Sequence, residues 1–262
     1  MTALDAEPVD AAARRRLLGQ ELLLVLGVSL ARSGLFALLD LLDSLAAPVP
    51  LAAQRTAPLN GQLARNSLLD LLNQLLVNGL RVVPVLFAAY LVVRGGERLT
   101  AIGVRRGGWP DALRGAVLAA VVGGAGLALY LGARAAGANL TVVPTSLPPT
   151  WWRDPVLVLS AVSNAVLEEV LVVGYLLRRL DQRGWSDSRS TAASALLRGS
   201  YHLYQGFGGF VGNAVMGVLF VRLYRRWGSV VPLVVAHALI DTTAFVGYAH
   251  LVGRVSWLPR PA

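Results

Sequence analysis

Apolar residues in this chain come in long runs. They show neither the two-residue alternation of a half-buried strand nor the one-sided stripe of a soluble helix. The runs fall near 17–43, 67–93, 113–136, 155–177, 190–206, 208–224 and 229–252. A bilayer core takes roughly 20 apolar residues per helix, and only helices or closed barrels satisfy their backbone polar groups there. The pattern therefore predicts an all-α, polytopic transmembrane bundle of about seven spans. The fifth and sixth runs are short and tightly joined by Gln205-Gly206-Phe207-Gly208-Gly209. A hairpin with one re-entrant limb competes with two full spans at that point. Residues 1–13 are polar and mixed, and Arg14-Arg15-Arg16 precede the first run. That run is too long for a signal-peptide core and lacks a small-residue cleavage site close behind it, so it reads as a first span. No internal repeat or low-complexity tract is evident. The chain divides into an N-terminal segment (1–16), N-terminal spans (17–154), a polar-bearing core (155–252) and a short tail (253–262).

Composition sharpens this picture. The 262 residues are 55% hydrophobic, with mean hydropathy +0.57, and only 15% are charged. A soluble domain carries about 25% charged residues. The net charge of +9 comes entirely from Arg, placed in short loops between apolar runs. That is a topology signal rather than a nucleic-acid surface. One set of loops holds Arg14–Arg16, Arg94, Arg98, Arg105, Arg106, Arg114, Arg178, Arg179, Arg183, Arg189, Arg222, Arg225 and Arg226. The alternate set holds only Arg55, Arg65, Arg134, Arg153, Arg254 and Arg260. The positive-inside rule then puts the N-terminus in the cytoplasm, the C-terminus outside, and the protein in the cell membrane. Trp151-Trp152 suit an outer interfacial belt, 137–154 an irregular outer loop, and Trp109-Pro110 a short interfacial helix within 94–112. With no Cys, disulfides and thiolate metal sites are excluded. The Arg-rich, Lys-free composition suggests a high-GC bacterial genome.

Ionisable groups at bilayer depth are costly and mark function by default. Several are set aside first. Ser67-Leu68-Leu69-Asp70 reads as a capping box. Asp40, Asp43 and His250 fall near span ends. Arg32 and Arg81 lie deeper and read as ion-pair or snorkelling residues, since Arg cannot serve as a base. What remains is concentrated at one level. Counting about 1.5 Å per residue from the nearest loop Arg, Glu168, His202 and His237 lie roughly 15, 20 and 17 Å deep, on three helices. Asn164 and Asp241 share the faces of Glu168 and His237, four residues away. The bland alternative is a polar network that merely glues helices together.

A buried carboxylate beside a His can take a proton from water and later return it, the general base and acid duties of peptide hydrolysis. Paired carboxylates such as Glu168 and Glu169 share protons. Two His and a Glu can also hold Zn²⁺ or another divalent metal with an open water position; Glu168, His202 and His237 are the candidate ligands, although no HExxH motif is present.

These residues resemble a family. Glu168-Glu169-Val170-Leu171-Val172-Val173-Gly174-Tyr175, then Tyr201-His202, then His237-Ala238-Leu239-Ile240-Asp241, are similar to the three motifs of the CPBP intramembrane proteases, the CAAX prenyl endopeptidase-like or Abi proteins. The resemblance covers about 155–250. It implies a CAAX-type intramembrane endopeptidase in which Glu168 activates water with help from His202. It further implies that His237 and Asp241 form the oxyanion site and that Glu169 supports the structure. The family's metal-dependent and glutamate-dependent mechanisms both stay open. The chain departs from the pattern twice: Val173 stands where the family carries Arg, and Arg198 where it carries an aromatic. Arg198 lies four residues before His202, about 14 Å deep, so the guanidinium is expected to have moved between helices and still to engage the Glu pair, Glu169 above all.

Three function classes follow. The leading one is an intramembrane endopeptidase acting on a membrane-embedded or membrane-anchored peptide, not necessarily prenylated. The second is a non-catalytic scaffold or immunity protein. The third is a proton-coupled transporter, for which the inverted halves of such proteins are not evident. The site is expected to face a cavity open to the cytoplasm.

Overall fold

The computed structural model describes residues 11–255. Residues 1–10 of the expected cytoplasmic segment, most of the tail, and Arg260 of the orientation argument lie outside the described residues. Among those described, regular structure is helical, with only isolated bridges between extended segments. The helices are α1 (Ala11–Gly27), α2 (Leu30–Ala46), α3 (Ser67–Arg81), α4 (Val83–Arg94), α5 (Trp109–Ala135), α6 (Arg153–Glu168), α7 (Leu176–Gln182), α8 (Asp187–Ser200), α9 (Phe207–Trp227) and α10 (Val231–Leu251).

Five helical stretches are long and apolar enough to cross a membrane: Ser67–Arg94, Trp109–Ala135, Arg153–Gln182, Phe207–Trp227 and Val231–Leu251. A sixth is the bent pair α1–α2, with a 52° angle. The expected seven are therefore five to six by length. The shortfall is the fifth run: α8 has 14 residues, about 21 Å of helix. The chain leaves α8 through Tyr201 and His202 into a 3₁₀ turn, Leu203–Gln205. That turn lies beside the segment following α5, where Leu140 N–H donates to the Gln205 carbonyl at 2.9 Å and Phe207 N–H to that of Ala138 at 3.0 Å.

The bends have local causes. Ser29 Oγ donates to the Val25 carbonyl at 2.6 Å, competing with the backbone ladder where α1 meets α2. Pro84 sits in the first turn of α4, where its ring and missing N–H break the helix after Arg81. Two sequence expectations change at helix starts. The cap of α3 is Asn66, which accepts from Leu68 and Leu69 N–H, so Ser67 and Asp70 form no capping box. Asp70 is buried and accepts from Leu63 N–H at 2.9 Å instead. Trp109-Pro110 open α5 itself, with Asp111 accepting from Gly108 N–H at 3.1 Å, rather than forming a separate interfacial helix.

Core packing brings α10 against α5 and α6, and α8 against α9. A central apolar cluster joins Val25, Val85, Ala88, Val92, Ile102, Leu171, Val172 and Tyr175. The 137–147 segment is less irregular than expected. It runs extended beside 54–60, with Leu59 N–H donating to the Val143 carbonyl at 3.0 Å and Ser146 N–H to that of Asn60 at 3.1 Å. Trp151 is 84% exposed, as a belt residue would be, but Trp152 is 2% exposed and donates to Ser67 Oγ at 3.1 Å. Its indole packs with Val156, Leu157 and Phe245, so burial of its large apolar ring wins over the interface.

On the Arg-rich side, Glu97 clasps the end of α7. It accepts from Arg178 Nε at 2.6 Å, Arg179 at 2.9 Å and Gln182 at 2.9 Å. Burial alone would push its carboxyl up. The hydrogen bonds from Gln182 and Arg178 and the charges of both Arg outweigh that and hold it below the ordinary carboxylate range. A depressed folded-state pKa stabilises the fold fully above the unfolded value of about 4.3 and loses that stabilisation as pH falls through the folded value. The melting temperature of purified protein should therefore fall on acidification from pH 5, and Glu97→Gln should flatten that acid limb. An unchanged acid limb in the variant would remove Glu97 from the account.

Candidate active site

The site is built where three helices lose regularity or meet. After Glu168 the chain enters a π-helical stretch, Glu169–Tyr175. Consecutive residues in an α-helix point about 100° apart. The wider π turn changes that register, and both Glu168 and Glu169 reach the same guanidinium, Arg198. Gly174 within it lets the 99–102 turn approach; a Cβ there would overlap the Ile102 carbonyl oxygen.

Arg198 is fully buried and forms the hub. One terminal nitrogen lies 2.7 Å from Glu169 Oε2, the other 3.4 Å from Glu168 Oε2, and the guanidinium sits 5.3 Å above the Phe220 ring. Val173 is also buried and packs in the cluster that contains Phe220. Glu169 Oε1 lies 2.7 Å from His237 Nδ1, and His237 Nε2 lies 3.5 Å from Asp241 Oδ2. Asn164 Nδ2 donates at 3.1 Å to both Glu168 Oε1 and Asp241 Oδ2. His202 sits in the turn beyond α8. Its Nδ1 lies 2.9 Å from the Arg198 carbonyl, which only accepts. That partner fixes the proton on Nδ1 and leaves Nε2 as the basic nitrogen. His202 stands beside Tyr201, the ring centres 4.8 Å apart.

Glu168, Glu169, His237, Asp241, Arg198 and Asn164 thus form one bonded network, with His202 attached through Arg198 and Tyr201. Arg32 stacks over Phe36 on α2 instead, and His250 bonds Asp154 at 2.7 Å at the far end of α10. For two residues the part they play at the site was not legible. The Tyr201 hydroxyl donates to Glu168 Oε2 at 2.7 Å. In a continuous helix Tyr201 and His202 would diverge; the end of α8 turns both inward. Arg81, set aside in the sequence, lines the same cavity as Glu168. The signal for it was the α3 spacing Asp70, Gln74, Asn78, Arg81, a polar stripe on an otherwise apolar helix.

A cavity of about 280 Å³ adjoins Glu168, His202, Asn164, Tyr201, Ser160 and Arg81. Its wall includes Leu59 and Asn60, from the segment paired with 141–146, and none of the Arg-rich loops. It lies next to the 47–66 loop.

For a metal, the nearest donor group is Glu168, Glu169 and His237, within 4.8 Å of one another; His202, expected as a ligand, is not in it. That set fits a divalent cation poorly. Every carboxylate oxygen of the Glu pair already accepts from Asn164, Tyr201, Arg198 or His237, and a guanidinium stands beside both.

The class that fold and site define is a multi-pass helical membrane protein with a buried acid–imidazole site. The family model described as type II CAAX prenyl endopeptidase Rce1-like matches residues 150–243, which contain all of that site's α6–α10 residues and bear out the resemblance drawn from the double Glu and the two His. No match was found among curated proteins or solved structures.

Proposed function

We propose that the protein is an intramembrane endopeptidase in which Glu168 activates water to attack a peptide carbonyl. The observation that carries this reading is the different placement of the two glutamates. Glu168 fronts the cavity together with His202, while Glu169 is sealed between Arg198 and His237. A general base must reach the reacting proton directly or through one water. Glu168 does so, His202 Nε2 shares the proton transfer, and Glu169 holds the frame. His237 Nε2–H is the donor assigned to the developing oxyanion, as the family resemblance implies. Asp241 accepts from Asn164 and lies 3.5 Å from His237 Nε2, a positioning role. Asp241→Asn keeps shape and should retain more activity than any change at Glu168. Equal loss in both would give Asp241 charge-dependent chemistry and break this assignment.

The substrate class is a membrane-associated peptide, taken up from lipid or from the outer side. The N-terminus is cytoplasmic and the membrane is the cell membrane, on the strength of the Arg distribution. Reconstituted protein should cleave peptide presented to the face bearing the 47–66 loop, and cleavage only from the Arg-rich face would reverse this orientation. The crowded Glu pair weighs against a metal step, so hydrolysis should survive exhaustive chelation. Loss on chelation, with recovery on adding Zn²⁺, would replace the glutamate reading by the metal one. The scaffold reading is tested by the same peptide assay, in which a scaffold would release no product.

A further inference from the structure

The guanidinium of Arg81 has no role in the hydrolytic arrangement, yet it is held as if for one. It sits at the α3–α4 break, half-buried. One terminal nitrogen makes every bond the residue has among the described residues: Asn78 Oδ1 at 3.3 Å, the Ser160 carbonyl at 3.3 Å, Ser160 Oγ at 3.1 Å and Ser163 Oγ at 3.4 Å. All four acceptors are neutral. Ser163 in turn donates to Asn78 at 2.8 Å, and Asn78 to the Gln74 carbonyl at 2.8 Å, so the frame is fixed. The other interhelical guanidiniums differ. Arg198 and Arg179 each pair with two carboxylates. Arg81 forms no ion pair among the described residues, its Nε and second terminal nitrogen make no hydrogen bond there, and the residue lines the cavity it shares with Glu168 and His202.

We infer that Arg81 is a substrate-binding residue that receives a carboxylate of the peptide, its C-terminal group or an acidic side chain. This deepens the peptidase reading and rests on it. The remaining fork of Nε and a terminal nitrogen matches the two oxygens of a carboxylate. The cavity suits the rest of such a ligand: Leu30, Leu59, Leu167 and Phe245 give it apolar walls. Its volume of about 280 Å³ admits a short chain end rather than a folded segment. An anion seated on Arg81 would place a nearby peptide bond toward Glu168 and His202 on the same cavity.

The bland alternative is that Arg81 only balances the charge of Glu168 and Asp241, whose fields it feels. Binding separates the two without requiring turnover. The probes are acetyl-Leu-Ala-Leu as free acid, the same peptide as C-terminal amide, and acetyl-Leu-Glu-Leu amide, each added to the solubilised full chain while its melting temperature is followed. The free acid should raise it by a few degrees and the Leu-Ala-Leu amide should not. Stabilisation by the Leu-Glu-Leu amide would assign the carboxylate to a side chain. Arg81→Gln should erase the difference, and Arg81→Lys, which keeps the charge but not the fork, should weaken the response about tenfold in apparent affinity. The inference is overturned if acid and both amides behave alike in the wild type, or if the preference survives in both variants. If the preference holds while no peptide is cleaved, the peptidase reading fails and the carboxylate site stands.

Discussion

Glu168→Gln should lower peptide hydrolysis by at least the 10²–10⁴-fold attributed to general acid–base catalysis, with the folded protein intact. The geometry explains why fold and activity separate. A Gln carbonyl oxygen can take the Oε2 place, accepting from Tyr201 and Arg198 as the carboxylate does. The amide nitrogen then occupies the Oε1 place and gives up only the bond from Asn164, which keeps its bond to Asp241. Shape and most hydrogen bonds survive, and only the base is lost. Glu169→Gln should show the reverse emphasis. That carboxylate holds Arg198 at 2.7 Å and His237 at 2.7 Å with no exposure, so neutralising it should cost more stability than neutralising Glu168. Turnover and melting temperature on the same purified samples check both. A Glu168→Gln enzyme that still turns over, or a Glu169→Gln protein as stable as wild type, would reverse the two roles.

The second large effect is expected at Arg198. Arg198→Phe leaves two carboxylates buried without their cation. Breaking a buried ion pair by removing one partner costs on the order of 3–5 kcal/mol, enough to unfold a marginal protein. The remedy is at position 173. Val173 is fully buried beside Phe220, the ring over which the Arg198 guanidinium sits. An Arg introduced there should reach the same carboxylates from the α6–α7 side, and a Phe at 198 should fill the space left on α8. Val173→Arg in the Arg198→Phe background should restore most of the lost melting temperature. Val173→Arg alone should destabilise, because it adds a second buried cation and volume to a filled core. If the double variant melts no higher than Arg198→Phe, the two positions do not exchange a guanidinium.

Much of this site could be read from residue order because depth along a helix is simple to count. The long apolar runs fixed the helices, and a 1.5 Å rise placed Glu168, His202 and His237 in one slab. The i,i+4 spacing paired Asn164 with Glu168 and His237 with Asp241, as the hydrogen bond at 3.1 Å and the contact at 3.5 Å show. The Glu169–Arg198 contact was legible because an unpaired Glu pair at that depth needs a cation. What escaped was whatever depends on departure from an ideal helix. The π stretch after Glu168, the end of α8 at Ser200 and the Pro84 break each redirect side chains in ways a uniform period cannot foresee. The bond from Tyr201 to Glu168 and the full surroundings of Arg81 follow from those irregularities. The span count comes to five or six rather than about seven because 190–206, with Ser190, Thr191, Ser194, Arg198 and His202 among its apolar residues, holds only part of α8 and a turn.

The central claim is hydrolysis of a peptide bond within the membrane by water that Glu168 activates. Its most direct test is mass spectrometry of products formed by the reconstituted full chain in H₂¹⁸O, with a panel of membrane-inserted peptides and Glu168→Gln protein alongside. Wild type should yield fragments whose new C-terminal carboxylate carries one ¹⁸O, and the variant should yield none. Intact peptides with both proteins, or fragments that appear equally with the variant, would contradict it.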